Sequence, residues 1–253
     1  MSQLRSQGKL YIVGIGPGAI EHITRKAEKA LLESEYIIGN STYIDQVAAL
    51  IKNSKVIRSG MGDELERAKL AVELSHDHVV SIISGGDANV YGMAGLVHEV
   101  AEKEGDIDIE VVPGVTALSA AASLLGAPVV SDFAVISLSD LLTPVEMIEQ
   151  RLKSAGEADF VIVIYNPKSR NRKQNLARAI EIIRKSRDDK TPVGIVKNAT
   201  RDGESVIATR LGKIMEYNDA IDMSTIVLVG NSESRLWDNR IITPRGYHRK
   251  YDY

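Results

Sequence analysis

Near its start the chain has an apolar strand that runs directly into a glycine-rich turn, LYIV followed by GIGPG at residues 10–18. The same order, a short apolar run and then glycine or polar residues, recurs along the chain. Segments with the periodicity of amphipathic helices separate these runs. Such alternation is typical of a helix-covered parallel sheet, which binds ligands beyond the carboxyl ends of its strands. The predicted fold class is therefore α/β.

Two series of elements are predicted. In the first half the strands are residues 10–15, 36–38, 55–58, 79–84 and 107–112, and the helices are 25–33, 43–52, 64–75 and 93–103. A helix over 115–125 leads into the second series, with strands 133–138, 160–165, 193–197, 205–209 and 225–229 and helices 145–153 and 173–186. Thr24 is predicted to cap the first helix, because its hydroxyl can accept a hydrogen bond from a backbone N–H of the first turn.

The pattern changes after Pro113 and predicts two α/β domains, residues 1–118 and 119–253. The first is expected to hold a parallel sheet and the glycine-rich loops. In the second, the two strands that follow Pro192 are close enough in sequence to pair antiparallel, which predicts a mixed sheet. Loops from both sheets that faced one cleft would form a shared pocket, so the active site is predicted between the domains.

Composition excludes several classes of function. The 253 residues include no cysteine, which excludes disulfides, a thiol nucleophile and cysteine-bound metal. The net charge of -3 gives no general support for nucleic-acid binding. No apolar run reaches the length of a membrane span, and the N-terminal residues lack a signal-peptide core. We therefore expect a cytoplasmic protein without membrane or nucleic-acid partners. The histidines lack metal-binding spacing, so no metal site is predicted.

The first turn fits the loose dinucleotide-binding pattern G-x-G-x-x-G/A, but three details weaken the match. Pro17 lacks a backbone N–H that could bind a pyrophosphate. The helix begins only after Thr24, so its N-terminus is displaced from the glycines. The second strand ends in Gly39 and Asn40 and lacks the acidic residue that binds a ribose. A tight turn that needs positive φ also explains at least one of the glycines.

The second loop, SGGDANVYG at residues 84–92, is more informative. Gly85 and Gly86 let a ligand approach the backbone, and Asp87 adds a carboxylate that suits hydroxyls or an ammonium group and repels phosphate. The alternative is that Asp87 only caps the helix that follows. With the third loop, VPGVTA at residues 112–117, these groups favour adenosine and an amino acid over pyrophosphate.

In these three motifs, in this order, the sequence resembles the tetrapyrrole methylases, enzymes of corrin and siroheme synthesis that use S-adenosylmethionine. The resemblance runs from about Leu10 to the C-terminus. Later segments resemble the branch that methylates C(17) of precorrin-3B or cobalt-factor III, among them GMGDELERA at 60–68, YNPKSR at 165–170 and TPRGY at 243–247. Many members have GDP in the middle motif, whereas this chain has GDA, and the C(17) branch resembles the chain there.

The resemblance implies two α/β domains with the methyl donor S-adenosylmethionine in the cleft between them, in a homodimer. It assigns these donor-binding positions: Pro17, Gly85, Gly86, Asp87, Val90, Thr116 and Ala117 in the first domain, and Asn166 and Ala199 in the second, with Thr225 as a further candidate. The opening turn would then be one wall of a methyl-donor pocket, shaped by Pro17.

The branch also implies methylation of C(17) with contraction of the ring, and contraction requires proton transfers. Asp63, Ser139 and Asp140 are the candidate acid–base residues. Each also has a structural alternative, since Asp63 stands where it would cap the helix at 64–75 and Asp140 where it would help to cap a short turn. The donor is already activated, so transfer of the methyl group requires no nucleophilic side chain.

The expected substrate is a large tetrapyrrole ring with several carboxylates. Residues 168–173, KSRNRK, follow a strand and carry four cations in six residues. Cations at a helix N-terminus oppose the helix dipole, and a bound anion would offset this unfavourable interaction. Lys168 and Arg170 are therefore predicted to bind the substrate, and a solvated loop is the alternative.

Two further hypotheses are compatible with these motifs. The first is another enzyme of the superfamily, which would have the same donor-binding loops. It would be a methylase of a different ring carbon, a diphthine synthase or a methyltransferase of ribosomal RNA. A nucleotide-binding regulator that used only the first turn is disfavoured by the displaced helix. Both a cobalt-containing and a metal-free corrin precursor are compatible with the sequence.

Overall fold

A computed structural model describes residues 8–169 and 174–252. The chain forms two compact units, with the boundary between Ala117 and Leu118. Each unit has its own sheet and its own buried core. No helix in the described ranges is both long enough and apolar enough to cross a membrane.

Unit 1 is a five-stranded parallel sheet with helices on both faces. Its strands are β1 (Lys9–Gly14), β2 (Tyr36–Asn40), β3 (Lys55–Ser59), β4 (Val79–Ser84) and β5 (Ile109–Val112), in the spatial order β3-β2-β4-β1-β5. Its helices are α1 (Arg25–Glu33), α2 (Ser41–Val47), α3 (Glu64–Leu74) and α4 (Ala94–Ala101).

The helices divide between the two faces of this sheet. In α1 the buried residues Ala27, Ala30 and Leu31 repeat at helical spacing, and they pack with α2 against one face. Helices α3 and α4 pack against the other face. The chain therefore leaves β1 toward one face and the neighbouring β4 toward the opposite face. Such a reversal marks the place where open α/β sheets bind ligands, at the carboxyl ends of the two strands.

Unit 2 is built on a mixed sheet, preceded by α5 (Ala117–Leu125) and the short strand β6 (Gly126–Ala127). The main strands are β7 (Phe133–Ser137), β8 (Val161–Tyr165), β9 (Pro192–Lys197), β10 (Ser205–Arg210) and β11 (Thr225–Val229), in the order β10-β9-β11-β8-β7. Strands β7 and β8 are parallel, whereas β11 is antiparallel to both β8 and β9, and β10 is antiparallel to β9. The helices of this unit are α6 (Val145–Glu157) and α7 (Asn175–Ile183).

The predicted fold class, with a parallel N-terminal sheet and a mixed C-terminal sheet, is confirmed. Thr24 caps α1 as predicted, with Oγ1 accepting from the Ala27 backbone N–H at 3.1 Å. Helix α2 begins and ends earlier than predicted. It begins at Ser41 because the Asn40 side chain at the end of β2 supplies its cap, accepting from Thr42 N at 2.9 Å.

The prediction missed a second, smaller sheet and a helical segment. Strands β12 (Arg235–Trp237) and β13 (Arg240–Ile242) form a hairpin that pairs with β6, and Leu211–Ala220 is a 3-10 segment. Asp238 and Asn239 join the hairpin with φ of 47° and 58°, a conformation that suits two-residue hairpin turns. Strands of three residues are too short for alternation of apolar residues to reveal them.

Candidate functional site

Three loops of unit 1, which follow β1, β4 and β5, meet through their backbones. Gly16 and Gly86 exchange two hydrogen bonds, from Gly16 N to Gly86 O at 3.0 Å and from Gly86 N to Gly16 O at 2.7 Å. A Cβ on Gly114 would lie 2.2 Å from Gly86 O, and one on Gly14 would lie 2.8 Å from Gly114 N. Gly14 and Gly114 are therefore required by the close backbone contact between these loops.

This junction lies at the carboxyl ends of β1 and β4, which is the place where open α/β sheets bind ligands. Gly16 and Gly86 have φ of 83° and 69°, so both need the left-handed backbone that glycine adopts without strain. Pro17 is buried immediately after the junction. The predicted turn at 14–18 is therefore joined to the predicted loop at 84–89 within one unit.

Asp87 holds the second loop to the third. Its Oδ1 accepts from Asn89 N at 2.8 Å, and its Oδ2 accepts from Gly114 N at 2.9 Å. The alternative prediction, that Asp87 caps the following helix, is wrong because α4 begins at Ala94 with Met93 in the cap position. Each carboxylate oxygen accepts from a backbone N–H, which stabilises the junction that a ligand would contact.

The remaining predicted positions of unit 1 surround the same junction. The position of a Cβ on Gly86 lies 3.6 Å from Ala117 N and 3.7 Å from the Thr116 Cα. Val90 closes the turn of the second loop through a hydrogen bond from its N–H to Asp87 O at 3.3 Å. The structure thus brings Gly86, Asp87, Thr116 and Ala117 together.

Gly85 is explained by a residue that the sequence did not identify. A Cβ on Gly85 would lie 2.4 Å from Cε1 of Tyr43 and 3.0 Å from its hydroxyl oxygen. Tyr43 stands in the first turn of α2, which follows β2, the neighbour of β4 in the sheet. The only local signal for its position is the Asn40 cap, since Tyr43 belongs to none of the glycine motifs.

The loop after β3 contains Asp63, a predicted acid–base candidate. Asp63 occupies the cap position of α3, as expected, but its carboxylate does not cap the helix and instead accepts from Gly60 N at 2.8 Å. The buried Arg67, which the sequence did not identify, donates to Gly60 O at 3.1 Å and to the Ser59 hydroxyl. Both side chains therefore order this turn.

In unit 2 the predicted site residues lie at one edge of the mixed sheet. Strand β9 runs in the same direction as β8, because β11 between them is antiparallel to both. The carboxyl ends of β7, β8 and β9 therefore share an edge with the start of β11, where Thr225 stands opposite Lys197. The loops that follow these three strands contain Ser139, Asp140, Asn166, Lys168 and Ala199.

Side-chain hydrogen bonds hold the loops after β7 and β8. Asn166 has a left-handed backbone, with φ of 50°, and its Nδ2 donates to the Ser137 hydroxyl at 2.8 Å. The same hydroxyl accepts from Ser139 N at 3.2 Å. Asp140, which follows, is exposed. Ser137 thus links a predicted donor-binding residue to the loop of two acid–base candidates.

The loop after β9 places Ala199 between two left-handed residues. Asn198 and Thr200 have φ of 50° and 63°, and Thr200 N donates to the Glu204 carboxylate at 2.7 Å. Ala199 is buried. A β-branched residue in this conformation is unusual, so surrounding contacts must hold Thr200 there.

Thr225 is buried and bonded within its own turn. Its hydroxyl donates to Asp222 Oδ1 at 3.2 Å, and Asp222 in turn pairs with Lys197 at 2.8 Å. Burial alone would raise the pKa of Asp222, but the hydrogen bonds from Lys197 and from Ser224 N hold it below its ordinary value.

Of the two predicted substrate-binding cations, Lys168 is described and Arg170 lies outside the described residues. The Lys168 ammonium donates to Asn218 O at 2.9 Å, in the 3-10 segment. An ammonium has three donors, so this bond leaves capacity for an anion. Within the described ranges no group of three His, Asp or Glu side chains is arranged to hold a metal ion.

The donor loops of unit 1 fit the chemistry of S-adenosylmethionine. Backbone N–H and C=O groups at the junction suit the polar groups of an amino acid and a nucleoside, and Pro17 and Val90 supply apolar surface. The Asp87 carboxylate beside them would repel a pyrophosphate. The dinucleotide alternative is therefore disfavoured by the geometry as well as by the displaced helix.

Comparisons with known proteins agree with this chemistry. A family model described as Tetrapyrrole (Corrin/Porphyrin) Methylases matches residues 9–215. A Cobalamin biosynthesis protein CbiHC from Archaeoglobus fulgidus is 51% identical over 100% of this chain. A Probable cobalt-factor III C(17)-methyltransferase from Salmonella typhimurium is 48% identical over 94% of this chain and 99% of its own length. A Precorrin-3B C(17)-methyltransferase from a Sinorhizobium species is 36% identical over 95% and 97%.

The chain spans about half the length of some curated relatives, including 56% of the Archaeoglobus protein. Among solved structures, the methyltransferase CobJ matches with a TM-score of 0.89 and 31% identity, over 94% of this chain and 100% of that one. A uroporphyrin-III C-methyl transferase from Thermus thermophilus, complexed with S-adenyl homocysteine, matches with a TM-score of 0.67 and 26% identity, over 88% and 92%.

The predicted resemblance is confirmed, and the names of these relatives agree with the predicted enzyme class, a C-methyltransferase. The family model covers most of the length of this chain, and relatives at 36–51% identity cover nearly all of it. The chain therefore belongs to the tetrapyrrole methylase family.

Proposed function

We propose that the chain is an S-adenosylmethionine-dependent methyltransferase of cobalamin biosynthesis, which methylates C(17) of a corrin precursor with contraction of the ring. The observation that carries the proposal is the junction of three glycine loops at the carboxyl ends of β1, β4 and β5, held by Asp87. Identity is 48% to the relative named for cobalt-factor III and 36% to the one named for precorrin-3B. This difference favours the cobalt-containing substrate.

The donor contacts are proposed at Pro17, Val90 and the backbone around Gly86, with Thr116 and Ala117. We assign Gly85 and Asp87 to the same pocket as residues that shape it. From the second domain, proposed as residues 119–253 after a first domain of 1–118, Asn166 and Ala199 are assigned to the donor by the family resemblance.

When bound, S-adenosylmethionine supplies an activated methyl group, so the chain needs only to align that group with the acceptor carbon and to exclude water. Ring contraction also requires groups that move protons. Asp63, Ser139 and Asp140 remain the proposed candidates. Asp63 accepts from Gly60 N and is held in one position, as a general acid or base must be.

The proposed substrate carries carboxylates, and Lys168 and Arg170 are the proposed contacts for them. Lys168 is oriented by Asn218 O, which fixes one of its three donors. A homodimer and a cytoplasmic location, without nucleic-acid or membrane partners, complete the proposal. Size-exclusion chromatography with light scattering tests the dimer, and a monomer at micromolar concentration would contradict it.

The decisive experiment is a transfer assay with methyl-labelled S-adenosylmethionine, offered with cobalt-factor III and separately with precorrin-3B. Mass spectrometry and NMR locate the label. We expect label at C(17) with cobalt-factor III and a smaller yield with precorrin-3B. Tight binding of S-adenosylhomocysteine without transfer to either substrate would contradict the C(17) assignment and point to another acceptor, a different ring carbon, diphthine or ribosomal RNA. Gly95→Ala, a substitution on the exposed face of α4 where a Cβ meets nothing within 4 Å, is the control variant and should transfer the label as the wild type does.

A further inference from the structure

Tyr43 is placed by a short chain of local causes. β2 ends at Asn40, whose Oδ1 accepts from Thr42 N at 2.9 Å and so begins α2 at Ser41. Tyr43 therefore stands in the first turn, at the carboxyl end of the sheet. It is half-buried, and it packs against the core shared by α1 and α2.

The ring of Tyr43 lies on Gly85, the first residue after β4. A Cβ at Gly85 would lie 2.4 Å from Cε1 and 2.6 Å from Cζ of that ring. Gly85 does not have the left-handed backbone of its neighbour Gly86, so its conformation alone does not require glycine. The contact with Tyr43 explains why residue 85 has no side chain.

The hydroxyl of Tyr43 differs from those of three other tyrosines, Tyr11, Tyr36 and Tyr165. The Tyr11 hydroxyl donates to Glu33 at 3.2 Å, that of Tyr36 accepts from Lys55 at 3.1 Å, and that of Tyr165 accepts from Leu118 N at 2.8 Å. Among the residues that the structure describes, the Tyr43 hydroxyl makes no hydrogen bond. A tyrosine hydroxyl in a partly buried place usually has a partner.

The order of the strands separates Tyr43 from the donor junction. In the order β3-β2-β4-β1-β5, the junction joins the loops of β4, β1 and β5, whereas Tyr43 follows β2 on the other side of β4. Next to it along the same edge is the loop after β3, with Asp63. A ligand bonded to this hydroxyl would therefore lie beside the donor, toward the β3 loop.

We propose that Tyr43 is a substrate-contacting residue that determines specificity, with its ring as a wall fixed on Gly85 and its hydroxyl donating to an acceptor on the tetrapyrrole, such as a carboxylate. The inference rests on the proposed function for the identity of the ligand. The packing of the ring on Gly85 is independent of that function. The two parts are therefore tested separately.

The first test removes the hydroxyl alone. In Tyr43→Phe we expect the KM for cobalt-factor III to rise about tenfold, as for loss of a hydrogen bond to a charged group. The Kd of S-adenosylhomocysteine, measured by calorimetry, should stay within about twofold, a change of less than half a kcal/mol. The matched control is Tyr36→Phe, at the opposite end of β2, which should leave both values unchanged. An unchanged KM in Tyr43→Phe would overturn the contact with substrate, and a weaker Kd for S-adenosylhomocysteine alone would assign the hydroxyl to the donor.

The second test uses thermal unfolding and needs no substrate. Gly85→Ala should lower the Tm of the otherwise unchanged chain, because the new methyl group collides with the ring. In a Tyr43→Ala background the same change should have little effect. Equal losses in both backgrounds would overturn the role of the ring. If the wild-type chain transfers no methyl group, the proposed function is wrong. The packing of the Tyr43 ring on Gly85 is still decided by thermal unfolding, because that test does not depend on methyl transfer.

Discussion

The loops at the carboxyl ends of the strands are held together differently in the two units of this protein. In unit 1 the loops after β1, β4 and β5 touch through backbone atoms, and glycine occupies the places where a Cβ would collide. In unit 2 side chains link the loops after β7 and β8, and three of the left-handed positions in the loops after β8 and β9, Asn166, Asn198 and Thr200, are not glycine, whereas Gly203 is. Side chains such as Ser137 and Glu204 hold those loops in place.

The difference separates two ways to hold a ligand. A backbone junction offers N–H and C=O groups at fixed positions and leaves room for a ligand to approach closely. A loop held by side chains stores strain at its non-glycine residues and presents chemically distinct groups. We therefore expect substitutions in unit 1 to abolish the pocket and substitutions in unit 2 to adjust it.

The largest effect is expected for Gly114→Ala. Its Cβ would lie 2.2 Å from Gly86 O, where only backbone can yield. We expect a loss of about 3 kcal/mol in the free energy of unfolding and at least tenfold weaker binding of S-adenosylhomocysteine. Gly95→Ala is the control, because a Cβ there meets nothing within 4 Å and a helical alanine should add about 0.5 kcal/mol of stability. Similar results for the two variants would refute the backbone junction.

The second effect concerns Asp87, whose side chain joins two loops of the junction. Asp87→Ala removes the acceptors of Asn89 N and Gly114 N, and we expect a loss of about 2 kcal/mol with weaker binding of S-adenosylhomocysteine by calorimetry. Asp87→Asn keeps an acceptor for Asn89 N and should lose less. Unchanged affinity in Asp87→Ala would remove Asp87 from the donor pocket.

A similar loss of stability is expected in unit 2, at Asn166. Asn166→Ala loses both the bond to Ser137 and a residue that tolerates left-handed backbone, at a cost of about 2 kcal/mol. Asn166→Gly keeps the backbone conformation and should cost about 1 kcal/mol less. Urea unfolding of both variants, with Ser137→Ala for the hydrogen bond alone, separates the two contributions. Equal losses for alanine and glycine would show that the left-handed backbone stores no strain.

The smallest effect is expected away from both edges, at Glu110 on β5. Hydrogen bonds from Lys26 at 2.5 Å and Lys9 at 2.8 Å lower the pKa of Glu110 to about 2. Because the folded pKa is below its ordinary value of 4.5, the stabilisation is complete above pH 4.5 and is lost as the pH falls toward 2. Glu110 and the two lysines are partly exposed, so Glu110→Gln should lower the free energy of unfolding by less than about 1 kcal/mol at pH 7.

Urea unfolding of the wild type and of Glu110→Gln at pH 7 and pH 3 measures this difference. It should shrink at pH 3 and in high salt, which screens exposed charges. A difference that does not change with pH would assign the loss to packing and not to charge.

Local signals were sufficient for most of the elements. Helix α1 and strand β4 have the predicted bounds, since Thr24 caps the one and polar turns bound the other. The antiparallel pairing of β9 with β10 followed from their closeness in sequence. The three-residue strands of the small sheet were missed because they are too short to show periodicity.

The sequence by itself determined the α/β class and the glycine motifs, because periodicity and the conformational freedom of glycine are properties of neighbouring residues. The tertiary structure decided which loops meet. Asp87 is assigned to Gly114 and Gly85 to Tyr43 only when the strand order β3-β2-β4-β1-β5 is known. These partners are distant in sequence, so the order of the strands, and not local preference, brings their atoms into contact.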